Sequence, residues 1–246
     1  MLLLFYKGSK TMIYITGDTH RNFRDVTMFA MNNNTRRSDV PIILGDVGIN
    51  YCNDLRDLIL KTQLHKLPLT LFCIHGNHEM RPESIDTYEE AERFGGTVYV
   101  EKDYPYLLFA KCGEIYDFNG RKCLVIGGAY SVDKHWRIEE NAGWWADEQP
   151  SDEIKARVEK KLDSVKWKVD AVFSHTCPQK YVPTEMFLNF IDSSTVDNST
   201  EIWLDEIEDK LDYNEWYCGH WHTDKCDGKM LFFYNQYREI FRKPFV

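Results

Sequence analysis

Carboxylate, amide and imidazole side chains recur in this sequence directly after short apolar runs. Gly17-Asp18-Thr19-His20 follows residues 13–16, Gly45-Asp46-Val47-Gly48 follows 41–44, and Gly76-Asn77-His78-Glu79 follows 69–75. Ser174-His175-Thr176 closes the run at 170–173, and Gly219-His220-Trp221-His222 the run at 216–218. Pooled, these ends offer the carboxylates of Asp18 and Asp46, the amide carbonyl of Asn77, and the imidazoles of His20, His78, His175, His220 and His222. Oxygen and imidazole donors without a thiolate suit Mn²⁺, Fe or Zn²⁺, and a shared carboxylate allows two ions. The residue types predict a dinuclear hydrolytic site. Any one fragment is ordinary, since Gly-Asp opens many turns and a lone histidine at a strand end is more often structural than a ligand. The five together, each at the same end of an apolar run, carry the reading.

These residues meet only if the runs before them are strands whose carboxyl ends point the same way. The runs at 13–15, 41–44, 69–74, 124–126, 170–173, 216–218 and 230–234 are short and rich in β-branched or aromatic residues, which favours buried strands. Between them, Val26, Phe29 and Ala30 recur at helical spacing, as do Leu55, Leu58, Ile59 and Leu64, and Ile154, Val158, Leu162 and Val165. Ser151 suits an N-cap, with Asp152 and Glu153 in the first turn after it. Alternating strands and helices predict βαβ units and a largely parallel sheet, whose ligands gather beyond the strands' carboxyl ends. The aromatic runs at 216–218 and 230–234, with Gly228 between them, predict antiparallel pairing instead. No linker, repeat or low-complexity tract divides the chain, so one α/β domain spans 12–246. Residues 1–11 form an N-terminal extension, open to reading as an edge strand, a tail, or the product of an upstream start codon.

Composition bounds the partners. Of 246 residues, 43% are hydrophobic and 14% aromatic, enough for a sizeable core. Thirty Lys and Arg stand against 39 Asp and Glu, a formal net charge of -9. A broad basic surface for phosphate backbones is therefore not expected, and an anionic substrate must be attracted locally. The seven cysteines form no C-x-x-C and favour a reducing cytoplasm. The apolar start is too short for a signal sequence and no run approaches a membrane span, so no membrane partner is expected.

In order and type, GDTH at 17–20, GDVG at 45–48, GNHE at 76–79, SHT at 174–176 and GHWH at 219–222 resemble the blocks of the calcineurin-like metallophosphoesterases. The resemblance spans residues 13–222. It implies a four-layer α/β/β/α sandwich with mixed sheets and two divalent ions at the strand ends, Mn²⁺ foremost, with Fe or Zn²⁺ as alternatives. Residue by residue, it gives Asp18, His20 and His222 to the first ion, Asn77, His175 and His220 to the second, and Asp46 to both. A bridging carboxylate suits ions roughly 3.5–4 Å apart. His220 and His222, one residue apart, would point the same way in an extended segment. The implied reaction is hydrolysis of phosphate mono- or diesters by a hydroxide held between the ions. His78 matches the family's general acid; its other readings are a further ligand or a purely electrostatic group.

The match departs from the phosphoprotein-phosphatase branch, where the second block continues to an Asp-Arg-Gly that supplies a phosphate-binding arginine. Here it runs GDVGIN, which puts Ser/Thr protein phosphatase activity in doubt. Arg21 and Arg81 are candidate replacements, because a guanidinium fork pairs well with phosphate oxygens. A second group comes from residues 127–150, rich in aromatic and charged side chains without sustained periodicity. Long loops of this kind serve as lids or binding loops, and Tyr130, Lys134, His135, Trp136 and Arg137 are its candidate substrate contacts. Trp144 and Trp145 are expected to pack over the sheet. Glu79 is expected to orient or neutralise its neighbours, and His75 to be structural.

A nuclease or nucleotide phosphodiesterase is the alternative within the same chemistry, disfavoured for long polymers by the acidic charge. A non-catalytic metal-containing scaffold is the alternative of another class, disfavoured because every ligand position is filled. No H-E-x-x-H, H-x-H-x-D-H, G-x-S-x-G or P-loop pattern supports another hydrolase or a nucleotide-driven transferase. Neither the substrate nor the oligomeric state is legible.

Overall fold

The apolar runs become the middle strands of two sheets. In a computed structural model, which describes residues 11–186 and 195–241, the first sheet begins with β1 (Ile13–Thr16), β2 (Val40–Ile43) and β3 (Leu71–Cys73), all parallel. The helices α1 (Arg24–Asn32) and α2 (Leu55–Leu64) make the crossovers. β4 (Tyr88–Arg93), β5 (Gly96–Glu101) and β6 (Leu107–Ala110) extend the sheet, β6 lying parallel to β3, β5 antiparallel to β6 and β4 antiparallel to β5. The second sheet holds β7 (Ile115–Phe118), β8 (Arg121–Ile126), β9 (Ala171–Ser174), β10 (Glu215–Cys218), β11 (Lys225–Asp227) and β12 (Met230–Phe232). Its centre, β8, β9 and β10, is again parallel. β13 (Arg238–Ile240) returns to the first sheet, antiparallel to β1. Among the described residues the remaining α-helices are α3 (Lys134–Glu139), α4 (Asp152–Ser164) and α5 (Ser199–Glu208).

Strands buried on both faces read as continuous apolar runs because each face needs a hydrophobic partner. Ile13, Ile15, Ile42 and Phe72 from one sheet meet Tyr116, Val125, Phe173 and Tyr217 from the other in the central core. Val26, Ala30 and Leu64 of α1 and α2 cover the outer face of the first sheet. Val158, Leu162, Trp203 and Leu204 of α4 and α5 cover that of the second. The result is the expected α/β/β/α layering with mixed sheets. α4 starts as expected, Ser151 Oγ accepting from the Ile154 N–H at 3.4 Å.

Three details differ from the sequence expectation. The runs at 216–218 and 230–234 pair in parallel, Trp216 opposite Met230. The antiparallel partner of β12 is β11, with Gly228 at φ +58 in the turn between them. A three-residue strand of Lys, Cys and Asp carries no hydrophobic signature, so the reversal it makes was invisible in the pattern. Second, α2 forms, but Leu55, Leu58 and Ile59 are 66%, 50% and 50% exposed, while Asp57, Lys61 and Leu64 turn inward. Polar pairing sets that rotation: Asp57 meets Arg21 at 2.5 Å and Lys61 meets Glu101 at 2.6 Å. Third, residues 127–150 are not wholly irregular, since α3 lies inside them. Trp145 packs edge-on to Tyr51 and Trp144 lies under the Lys134 ammonium at 4.5 Å.

Of the N-terminal extension, residues 1–10 lie outside the described residues; the Thr11 carbonyl accepts from Asn119 Nδ2 at 3.1 Å. Among the described residues, no helix is long and apolar enough to cross a membrane.

Candidate metal centre

The carboxyl ends of β1, β2 and β3 face those of β9 and β10, and the turns after them bend sharply enough to bring side chains inward. His20, Arg21, Asp46, His220 and His222 all have positive φ, between 44° and 67°. Backbone of this kind costs free energy in non-glycine residues and concentrates where function demands it. Gly45, at φ +105, permits the tightest approach: a Cβ there would lie 2.0 Å from His175 Nδ1. Gly219 does the same for Asp18, whose Oδ1 would be 2.4 Å from an added Cβ.

Side chains separated by up to 204 residues, Asp18 and His222, then converge. His20 Nε2 lies 2.9 Å from His222 Nε2, 3.7 Å from Asp18 Oδ2 and 3.8 Å from Asp46 Oδ2. His222 Nε2 is 3.3 Å from Asp18 Oδ2. On the other side of Asp46, His175 Nε2 lies 3.4 Å from Asp46 Oδ1 and 2.8 Å from Asn77 Oδ1. The His220 ring packs 4.9 Å from the His175 ring. Asp18, His20 and His222 form one group with donor atoms close enough to share a cation, and Asp18, Asp46 and His175 form another. Backbone donors hold the carboxylates: Asp46 Oδ1 accepts from Asn77 N–H and His78 N–H at 2.8 Å each, and Asp18 Oδ1 from His220 N–H at 2.9 Å.

The arrangement fits divalent cations. Asp18 Oδ2 is buried and meets no donor in hydrogen-bonding geometry, although His222 Nε2 is close. Two imidazole nitrogens face each other at 2.9 Å, where at most one proton can be shared. Carboxylate oxygen, amide oxygen and imidazole nitrogen are the donors that Mn²⁺, Fe and Zn²⁺ accept.

Titration reflects the crowding. Burial works to raise the Asp46 carboxyl, but the imidazoles of His175, His78 and His20 hold it well below the usual carboxylate range. Burial pushes His220 well down, with His175 adding to the effect. For His78, burial lowers the imidazole against the opposing pull of Asp46. The Asp18 carboxylate 3.3 Å away raises His222 in spite of burial. Glu79 accepts from the backbone N–H groups of Val47, Gly48 and Gly76, and burial pushes its carboxyl up to about 8 against those donors. Its role is to tie the second and third strand ends together. His75 is buried with Nε2 3.1 Å from the Glu79 carbonyl, and burial drives its pKa well down.

A cleft of ≈ 200 Å³ opens beside this cluster, lined by His20, Arg21, Gly48, Tyr51, His78 and Arg137. The His78 side chain is 17% exposed, with Nε2 3.9 Å from Asp46 Oδ2. Arg21 is held by Asp57 and by the Gly48 carbonyl at 2.7 Å. Arg137 is held by Asp133 at 2.8 Å and by the Gly143 carbonyl at 3.3 Å. Tyr51 donates its hydroxyl to the Ala142 carbonyl. The other candidate contacts lie elsewhere. Arg81 is 4% exposed and donates Nε to the Asp147 carbonyl at 2.6 Å, anchoring the 127–150 segment from beneath. Tyr130 is buried, Lys134 sits over the Tyr130 and Trp144 rings, and His135 is exposed; none of the three lines the cleft. A second cleft of ≈ 170 Å³ flanks Asp18 and His20 on the side of Asn22, Asp25, Tyr234 and Tyr237. Sequence reasoning passed over Tyr51, Asp57, Ser131 and Glu148, because no local pattern marks them.

Paired carboxylates and clustered imidazoles at the strand ends of a two-sheet sandwich define a metal-binding hydrolase centre. The chain belongs to the calcineurin-like phosphoesterase family, whose sequence pattern matches residues 11–224 and whose members are phosphoric ester hydrolases. One solved crystal structure is similar with a TM-score of 0.49 at 12% identity, the match covering 90% of this chain and 89% of that one. The crystal structure of the protein of unknown function AQ665 from Aquifex aeolicus is similar with a TM-score of 0.29 at 15% identity, covering 68% of this chain and 81% of that one. No curated protein sequence matches significantly.

Proposed function

We propose that this chain hydrolyses phosphate mono- or diesters with two divalent ions, Mn²⁺ foremost, and with His78 as the acid for the leaving group. The observation that carries the reading is the convergence of Asp18, His20 and His222 on one side of Asp46, and of Asn77, His175 and His220 on the other. Asp18, His20 and His222 would hold the first ion, Asn77, His175 and His220 the second, and Asp46 both. When bound, such a pair supplies Lewis acidity and makes water a competent nucleophile near neutral pH.

The remaining work falls to the chain itself. Arg21 and Arg137 present guanidinium groups to the cleft, where they bind phosphate oxygens, and their carboxylate partners Asp57 and Asp133 keep them in place. Tyr51 lines the cleft, donates to the Ala142 carbonyl and accepts from Arg137 Nη1 at 3.4 Å, which ties that backbone to the cleft wall. His78 has its backbone fixed to Asp46 and its ring at the cleft wall. From Nε2 it delivers a proton to the departing alkoxide oxygen. Seven unpaired cysteines support placing this chemistry in the cytoplasm.

The test is a screen of phosphomonoesters against phosphodiesters after reconstitution with Mn²⁺, Fe²⁺ or Zn²⁺. Turnover that requires added ion and disappears in Asp46→Asn supports the reading. Two bound ions with no hydrolysis of either ester class would refute it and favour a binding module.

A further inference from the structure

We infer that Glu148, acting through Ser131, is a positioning residue that decides which end of the Asn77 amide faces the metal centre. An asparagine offers a carbonyl oxygen that can ligate a cation and an NH₂ that cannot. The two ends are nearly the same size, so a neighbour of definite polarity has to choose between them. Here Asn77 Nδ2 donates to Ser131 Oγ at 2.9 Å, and Ser131 Oγ donates to Glu148 Oε2 at 2.5 Å. A serine hydroxyl has one proton. With that proton committed to a carboxylate, only lone pairs remain toward Asn77, and only the NH₂ end can satisfy them. Oδ1 is thereby turned the other way, toward His175 Nε2 at 2.8 Å.

Burial makes the choice binding. Asn77, Ser131 and Glu148 are 1%, 1% and 2% exposed, which leaves solvent little access to replace a missing partner. Ser131 and Glu148 stand near the two ends of the 127–150 segment, which also carries Arg137 into the cleft. One stretch of chain therefore caps the anion cleft and orients a ligand of the second ion. Removing a group that orients a metal ligand typically costs about 10–100-fold in metal affinity. The inference rests on the reading of Asn77 as a ligand, but not on any particular substrate.

The experiment is calorimetric titration of Mn²⁺ into the chelated full-length chain. Wild type is expected to bind two ions. Ser131→Ala is expected to weaken one of them by about 10–100-fold and leave the other unchanged, whereas Ser131→Thr, which keeps the hydroxyl, restores tight binding. Glu148→Gln, which can offer NH₂ to Ser131 and turn the hydroxyl round, weakens the same ion and serves as the second variant if Ser131→Ala is unstable. In an Asn77→Asp background, where both ends of the side chain are oxygen, adding Ser131→Ala causes no further selective loss. Equal weakening of both ions, or the same loss in the Asn77→Asp background, would mean a merely structural contact and overturn the inference. Selective weakening in a chain that hydrolyses nothing would refute the proposed activity alone.

Discussion

Replacing Gly45 by alanine should damage this protein twice over, in stability and at the metal centre. The residue has φ +105, a conformation that costs an L side chain roughly 1–2 kcal/mol. The added methyl would also lie 2.0 Å from His175 Nδ1, 2.5 Å from Cγ and 2.8 Å from Cε1. With three ring atoms in the way, a small tilt of the imidazole does not relieve the clash, and His175 must move. It is fully buried and its Nδ1 lies 2.8 Å from the Leu44 carbonyl, so displacement strands a buried acceptor at about 1–3 kcal/mol. Together these give a loss of about 2–5 kcal/mol, large against the ~5–15 kcal/mol by which domains are stable, but compatible with a folded chain. Urea unfolding in excess chelator isolates this loss from any contribution of bound ion. Mn²⁺ titration of the folded variant should then show the second ion weakened and the first less so. A variant within about 0.5 kcal/mol of wild type, the range of a neutral surface change, with both ions bound normally, would refute the packing argument.

Three further outcomes follow from the same geometry. His78→Ala should retain both ions and lose about 10²–10⁴-fold in kcat for alkyl phosphates, with a much smaller loss for nitrophenyl esters whose leaving group needs no proton; an equal loss across leaving groups would remove His78 from the acid role. Arg137→Ala should raise KM by about 10–100-fold, matching the ~1.5–3 kcal/mol of a charge-assisted hydrogen bond, at unchanged metal content; unaltered kinetics toward both mono- and diesters would take Arg137 out of substrate binding. Saturating Mn²⁺ at about 100 times its Kd should stabilise the chain by ~2.7 kcal/mol per site, a rise in melting temperature of about 5–10 °C. Calorimetry with and without chelator measures it, and a shift undiminished in Asp46→Asn would place the ion elsewhere.

How much of this was legible depends on the range of each interaction. Asp18 and His20 follow β1, Asp46 follows β2, Asn77 and His78 follow β3, and each is delivered by its own strand within a few residues. Strand, turn and donor are local features, so the chemistry and even the end of the fold where it gathers could be read along the chain. Helices α1, α2 and α4 were likewise visible through spacing, and α4 through its Ser151 cap as well, although the spacing of α2 pointed to the wrong face. The hairpin of β4 and β5 was not, because an edge strand reading YEEAER exposes its charges and has no apolar run to betray it.

The sequence by itself determined the donor set and the strands that carry it, since both are written in contiguous residues. Only the tertiary structure decided that Arg137 reaches the cleft while Arg81 is spent beneath the segment, although the two are equally arginine in sequence. It also decided that β12 slots in parallel to β10, that Asp57 turns α2 inward to hold Arg21, and that Ser131 and Glu148 meet Asn77. Asn77 and Ser131 are 54 residues apart, and Arg21 and Asp57 are 36. Such partners are chosen by how the two sheets and their covering segments pack, and a polar side chain shows no trace of that choice until its neighbours are in place.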